Sequence, residues 1–308
     1  MTVWHGIACL LFVAVLGAAS LASKDAVAAE GPRVAVSVLP LHSLVAGVMA
    51  GVGAPVLLID GAASPHAYAL RPSAARALAD ADAVFWIGPE LETFLPKPLK
   101  SLAGGARVVT VLDDPSIAVL PVRERGAWGE ATEEPAAGRD PHVWLDPRNA
   151  RRIVAMVTAT LSEIDPANAA VYRDNEMRLD ADLADLETEL VGKLAPAHGV
   201  PFVVFHDAYH YFEARFGLTT VGAFAVSPEV APGARRVAEL RARLVETNVS
   251  CVFVEPQFEP AIIEAAVAGT GARIAVLDPV GAGLPAGAAA YGQLMRALAD
   301  NLLACLGG

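Results

Sequence analysis

Short apolar, β-branched runs alternate along the chain with longer stretches in which apolar residues recur every three or four positions. Runs of the first kind fall at residues 33–39, 55–59, 83–87 and 107–112, and again at 202–205, 219–225, 251–254 and 273–277. Short apolar runs without polar alternation mark parallel strands buried on both faces. Residues 41–50, 74–81, 91–102, 147–164, 208–216, 233–247, 260–268 and 291–305 read as helices. The expected fold is therefore α/β: two lobes, each a four-stranded mainly parallel sheet flanked by helices.

Two segments stand outside this rhythm. Residues 166–194 carry Val171, Met177, Leu179, Leu183, Leu186, Leu190 and Leu194, mostly at three- and four-residue spacing on a charged background. That is the pattern of an amphipathic helix. At 1.5 Å per residue it would be about 43 Å long, a rigid strut joining the lobes. Residues 113–140 instead hold Pro115, Pro121, Pro135 and several acids, and read as an acidic flexible loop. The expected organisation is a signal peptide at 1–29, a first metal-binding lobe at 30–164, a connecting helix at 165–195 and a second metal-binding lobe at 196–308.

The signal peptide rests on the apolar stretch at residues 6–22, followed by the small-residue cleavage patterns Ala26-Val-Ala28 and Val27-Ala-Ala29. No Lys or Arg precedes it, which leaves an uncleaved anchor as the alternative. Of the 308 residues, 54% are hydrophobic and 19% charged, which excludes a disordered chain. The net charge of −11 comes without any basic run, which argues against nucleic acid as a partner. Export would leave Cys251 and Cys305 in an oxidising compartment, where a disulfide is expected. Two buried free thiols are the alternative.

Seven histidines are present, and three fall at positions where open α/β sheets bind ligands, beyond the carboxyl ends of strands. His206 directly follows the run 202–205, His66 lies in the loop after 55–59, and His142 sits between the long loop and the helix at 147. Asp278 directly follows the run 273–277. Three imidazoles and one carboxylate suit tetrahedral zinc. His206-Asp-Ala-Tyr-His210 has the spacing of the metalloprotease His-Glu-x-x-His motif, but Asp replaces Glu and His206 ends a strand rather than lying in a helix. His210 therefore reads as a surface or supporting residue. Glu255, at another strand end, reads either as a support for a ligand or as a capping or salt-bridged residue. No P-loop, serine elbow or dinucleotide-binding glycine motif is present.

Ser64-Pro-His-Ala-Tyr-Ala-Leu-Arg-Pro-Ser73, Asp140-Pro-His-Val-Trp-Leu-Asp-Pro147, Phe205-His-Asp-Ala-Tyr209 and Leu277-Asp-Pro-Val-Gly281 closely resemble motifs of the periplasmic metal-binding components of ABC transporters, the cluster A-I family. Val226-Ser-Pro-Glu-Val-Ala-Pro-Gly-Ala234 and Cys251-Val-Phe-Val-Glu-Pro-Gln-Phe258 extend the resemblance over essentially the whole chain after the apolar leader. The nearest likeness is to the zinc-specific members. The resemblance implies a monomeric, bilobal, non-catalytic binding protein with a connecting helix and one metal in the cleft. His66, His142 and His206 take the family's ligand positions, with Asp278 or a water as the fourth. Manganese-type relatives carry a carboxylate where this chain has His206, and imidazole suits zinc better. Cys251 and Cys305 fall where zinc-type members carry a disulfide. The implied role is capture of Zn2+ in the periplasm and delivery to an ABC permease with its ATPase subunit. A manganese or broad divalent-metal receptor, a periplasmic zinc hydrolase and an adhesin are the alternatives. One departure is that residues 113–140 contain no histidine, where many zinc-type members carry a histidine-rich loop.

Overall fold

In the computed structural model, residues 1–2, 31–61, 63–123, 138–225, 233–258 and 261–307 are described. The leader expected at 1–29, the middle of the acidic loop and most of the motif at 226–234 thus lie outside the described residues. Among the described residues no helix is long and apolar enough to cross a membrane.

Each half of the chain builds one parallel sheet. The first contains β1 (Val34–Val36), β2 (Val56–Leu57), β3 (Ala83–Trp86) and β4 (Arg107–Thr110), in the order β2-β1-β3-β4. The second contains β5 (Pro201–His206), β6 (Thr219–Ala225), β7 (Cys251–Val254) and β8 (Arg273–Val276), in the equivalent order β6-β5-β7-β8. All pairings between these strands are parallel. The inner strands β1, β3 and β7 are buried throughout, as their unbroken apolar runs require, whereas the edge strands β4 and β8 are largely exposed.

The helices are α1 (Leu39–Val48), α2 (Pro72–Asp80), α3 (Pro96–Leu102), α4 (Pro147–Ile164), α5 (Ala169–Leu194), α6 (His210–Phe216), α7 (Ala234–Glu246), α8 (Ala261–Val267) and α9 (Ala290–Leu306). Helix α3 is shorter than the periodicity of 91–102 suggests. Pro96 and Pro98 fit a first helical turn, where an N–H is not needed, but not a helix interior. The long helix also differs in phase. Val171 and Met177 are exposed, and the buried face runs through Tyr172, Asn175, Leu183, Leu186, Leu190 and Leu194. Asn175 earns its place by donating to the carbonyls of Val48 and Ala50 at 2.7 and 2.8 Å, which satisfies the end of α1.

Residues 31–308 form one compact unit. The larger apolar core is continuous from β1 and β3 through α4, α5 and α9 into β5 and β7, while a smaller core lies under α7 and α8 on the far side of the second sheet. Cys251, at the start of β7, forms a disulfide with Cys305 of α9 across a separation of 54 residues. It ties the last helix to the second sheet.

Candidate metal centre

In each sheet the first strand is central and the chain then switches sides, which opens a crevice at the carboxyl ends of the two inner strands. In the second sheet, His206 ends β5 and Glu255 directly follows β7, and these are adjacent strands. Glu255 Oε1 lies 2.8 Å from His206 Nδ1, and both side chains are almost wholly buried. The other two histidines arrive on short 3-10 turns from the first half. His66 lies in the turn Pro65–Ala67, where Ser64 Oγ accepts its backbone N–H at 3.3 Å and Pro65 sets the first residue. Thr93 Oγ1 donates to the His66 carbonyl at 3.0 Å. His142 opens the turn Val143–Leu145; Asp140 Oδ1 accepts its backbone N–H at 3.0 Å and lies 2.8 Å from its Nδ1.

One ligand atom from each of His66, His142 and His206 lies within 4.8 Å of the others. The Nε2 atoms of His66 and His206 are buried without a hydrogen-bond partner, which a buried polar atom tolerates poorly unless something else occupies its lone pair or proton. The three rings, with Ser64, Glu255, Gln257, Phe258 and Val280, line a cavity of about 10 Å3, room for one small occupant. Nδ1 bound to a carboxylate leaves Nε2 as the free nitrogen of His142 and His206, the arrangement by which proteins orient imidazole toward a metal.

Charge follows the same logic. Burial, reinforced by the neighbouring His142 and His206, pushes the His66 imidazole down to about 2. Burial likewise holds His142 well below the ordinary histidine value, with His206 adding to the effect. For His206 burial also works downward, but the hydrogen-bonded Glu255 and the nearby Asp207 and Asp140 outweigh it, and the net direction is up. Burial raises the Asp140 carboxyl to about 6. Two of the three imidazoles are therefore held neutral, the form that binds a cation.

The structure brings His66, His142 and His206 together and does not bring Asp278 into their cluster. Asp278 lies two residues beyond β8, and its oxygens accept the backbone N–H groups of Val280, Gly281 and Ala282 at 3.1, 3.0 and 2.6 Å, together with Gln257 Nε2 at 3.1 Å. His210 has Nδ1 3.8 Å from Asp140 Oδ2 and stands beside the cluster. His42 binds the Pro55 carbonyl instead. Sequence reasoning left the role of Glu255 open and did not single out Asp140 or Gln257. The Asp-x-His spacing of Asp140 and His142 was the available signal.

Several contacts cross between the halves around this site. Trp144 Nε1 donates to the Pro279 carbonyl, and Tyr291 Oη donates to the Trp144 carbonyl. Arg215 forms a bidentate pair with Asp146, the N-cap of α4. Arg123 binds both Asp207 and Glu213.

A family profile described as ZnuA, zinc-uptake complex component A, periplasmic, matches residues 34–305. The high-affinity zinc uptake system protein ZnuA of Brucella abortus (strain 2308) is 41% identical over 313 aligned positions, which cover 92% of this chain and 94% of that protein. The protein of the same name from Yersinia pestis is 37% identical, covering 89% and 91%. Among solved structures, a crystal structure of a ZnuA 138-173 deletion mutant with zinc bound superposes with a TM-score of 0.77 at 25% identity, over 90% of this chain and 98% of that one. The chain belongs to the ZnuA family of periplasmic zinc-uptake components.

Proposed function

We propose that His66, His142 and His206 hold a zinc ion by their Nε2 atoms between the two sheets, and that the protein hands this ion to an ABC permease driven by a separate ATPase subunit. The observation that carries this reading is the pair of buried, unpartnered Nε2 atoms facing one small cavity beside His142. Three imidazole nitrogen donors suit zinc, whereas manganese favours carboxylate oxygen. Asp140 and Glu255 fix the rings of His142 and His206 and supply negative charge behind them. The fourth position of a tetrahedral ion falls to water, or to Asp278 if that carboxylate leaves its backbone partners. As in the rest of the family, the chain is a binding component and not an enzyme.

The test is metal content and competitive titration of the purified protein beside His206→Ala. The expected result is one zinc per chain, not displaced by excess manganese, and lost in the variant. Zinc retained unchanged in His206→Ala would overturn the assignment. His206→Glu should move preference toward manganese.

A further inference from the structure

The segment after β7, Glu255-Pro-Gln-Phe258, forms one wall of the three-histidine cavity. Glu255 is committed to His206, but Gln257 has an amide whose two ends differ. Its Nε2 donates to Asp278 Oδ1 at 3.1 Å. Its Oε1 is buried and has no hydrogen-bond partner among the described residues. The assignment of the two amide atoms follows from chemistry. Asp278 already accepts backbone N–H groups on both oxygens, so the side of the amide it receives must be the NH2. The oxygen is then left as an acceptor in need of a donor.

Resting on the zinc reading above, we propose that Gln257 Oε1 accepts a hydrogen bond from the water at the fourth position of the bound ion, and that Asp278 is a positioning residue for Gln257 rather than a ligand. A metal-bound water has its lone pair on the ion and only O–H groups to offer. A buried amide oxygen is the complement of that pattern. A neutral amide also adds no charge, so the ion meets three imidazoles and a water, a set that favours zinc over harder cations. The two roles are coupled in one chain of bonds: the backbone of 280–282 fixes Asp278, Asp278 turns the amide, and the amide oxygen holds the water.

The test uses the purified protein loaded with zinc or with cobalt as a spectroscopic probe, in wild type, Gln257→Leu, Asp278→Ala and the double variant. Each is expected to bind one ion. Gln257→Leu should release zinc to a chelator about tenfold faster, the lower range for loss of a group behind a metal ligand, and should shift the cobalt visible bands. Asp278→Ala should shift the bands in the same direction, and the double variant should match Gln257→Leu alone, because Asp278 acts only through the amide. Gln257→Asn, which withdraws the oxygen by one methylene while staying polar, should repeat the Gln257→Leu spectrum if the leucine variant folds poorly. Wild-type bands and release in both Gln257 variants would overturn the proposal. So would additive effects in the double variant, which would mean that Asp278 does not act through the amide. Failure of the wild type to bind zinc would instead refute the three-histidine site itself, and the two failures are distinct.

Discussion

The two halves of the molecule share a strand order and differ in how they present and secure the site. The second sheet supplies His206 from the last residue of a buried central strand, with its carboxylate partner on the adjacent strand 49 positions away. Among the described residues, the first sheet supplies no member of the histidine cluster from a strand. His66 stands on a 3-10 turn and His142 opens another, and the carboxylate of His142 is only two positions away, just before that turn. The means of bracing also differ. The second half has the Cys251–Cys305 disulfide. The first has the buried Glu92, which accepts the backbone N–H groups of Ile87 and Gly88 just beyond β3 at 3.1 and 2.9 Å. One plan thus presents one candidate ligand from a strand and two from turns.

Four measurements would break or sharpen this comparison. The largest effect belongs to His206→Ala. It should weaken zinc binding by more than the roughly 100-fold that bounds loss of a supporting group. Next, replacing Cys251 and Cys305 together by alanine should cost about 4 kcal/mol in denaturant unfolding of the metal-free protein, the chain-entropy value for this loop, while one zinc still binds. Loss of zinc in that variant would mean that the disulfide shapes the site as well as the fold.

The first half should respond to pH instead. Burial raises the Glu92 carboxyl from 4.5 to about 7. Its folded value is above its unfolded one, so its contribution is fully present below about 4.5 and is lost as pH rises through about 7. The difference corresponds to about 3 kcal/mol. Glu92→Gln should flatten the pH dependence of unfolding over that range, and an unchanged slope would remove Glu92 from the account. The smallest effects come from Asp140→Asn and Glu255→Gln, each expected to weaken zinc binding about 10- to 100-fold in competitive titration. A silent variant on either side would show that the carboxylate does not brace its histidine toward the ion.

Most of the architecture was legible because buried parallel strands leave unbroken apolar runs. The runs at 219–225 and 251–254 coincide with β6 and β7, and the helix at 147–164 with α4. The face of α5 was harder to read, since Tyr172 and Asn175 are buried through tertiary contacts that residue type alone does not announce. The three histidines could be found from their positions at strand ends. Asp278 shares that placement, yet the backbone N–H groups of 280–282 take up its oxygens. That competition depends on the local path of the loop, and a sequence pattern cannot show it. Glu255 and His206 are likewise paired only by the adjacency of β5 and β7.

The uneven bracing of the three imidazoles has a kinetic consequence. Among the described residues His66 has no carboxylate partner, and it is the one member of the trio that is only partly buried. Its backbone is held by Ser64 and Thr93, side-chain contacts that can open without disturbing either sheet. Amide hydrogen exchange in the turn Pro65–Ala67 is therefore expected to be faster than in β5. A partner that grips this turn would act on the least braced member of the histidine cluster.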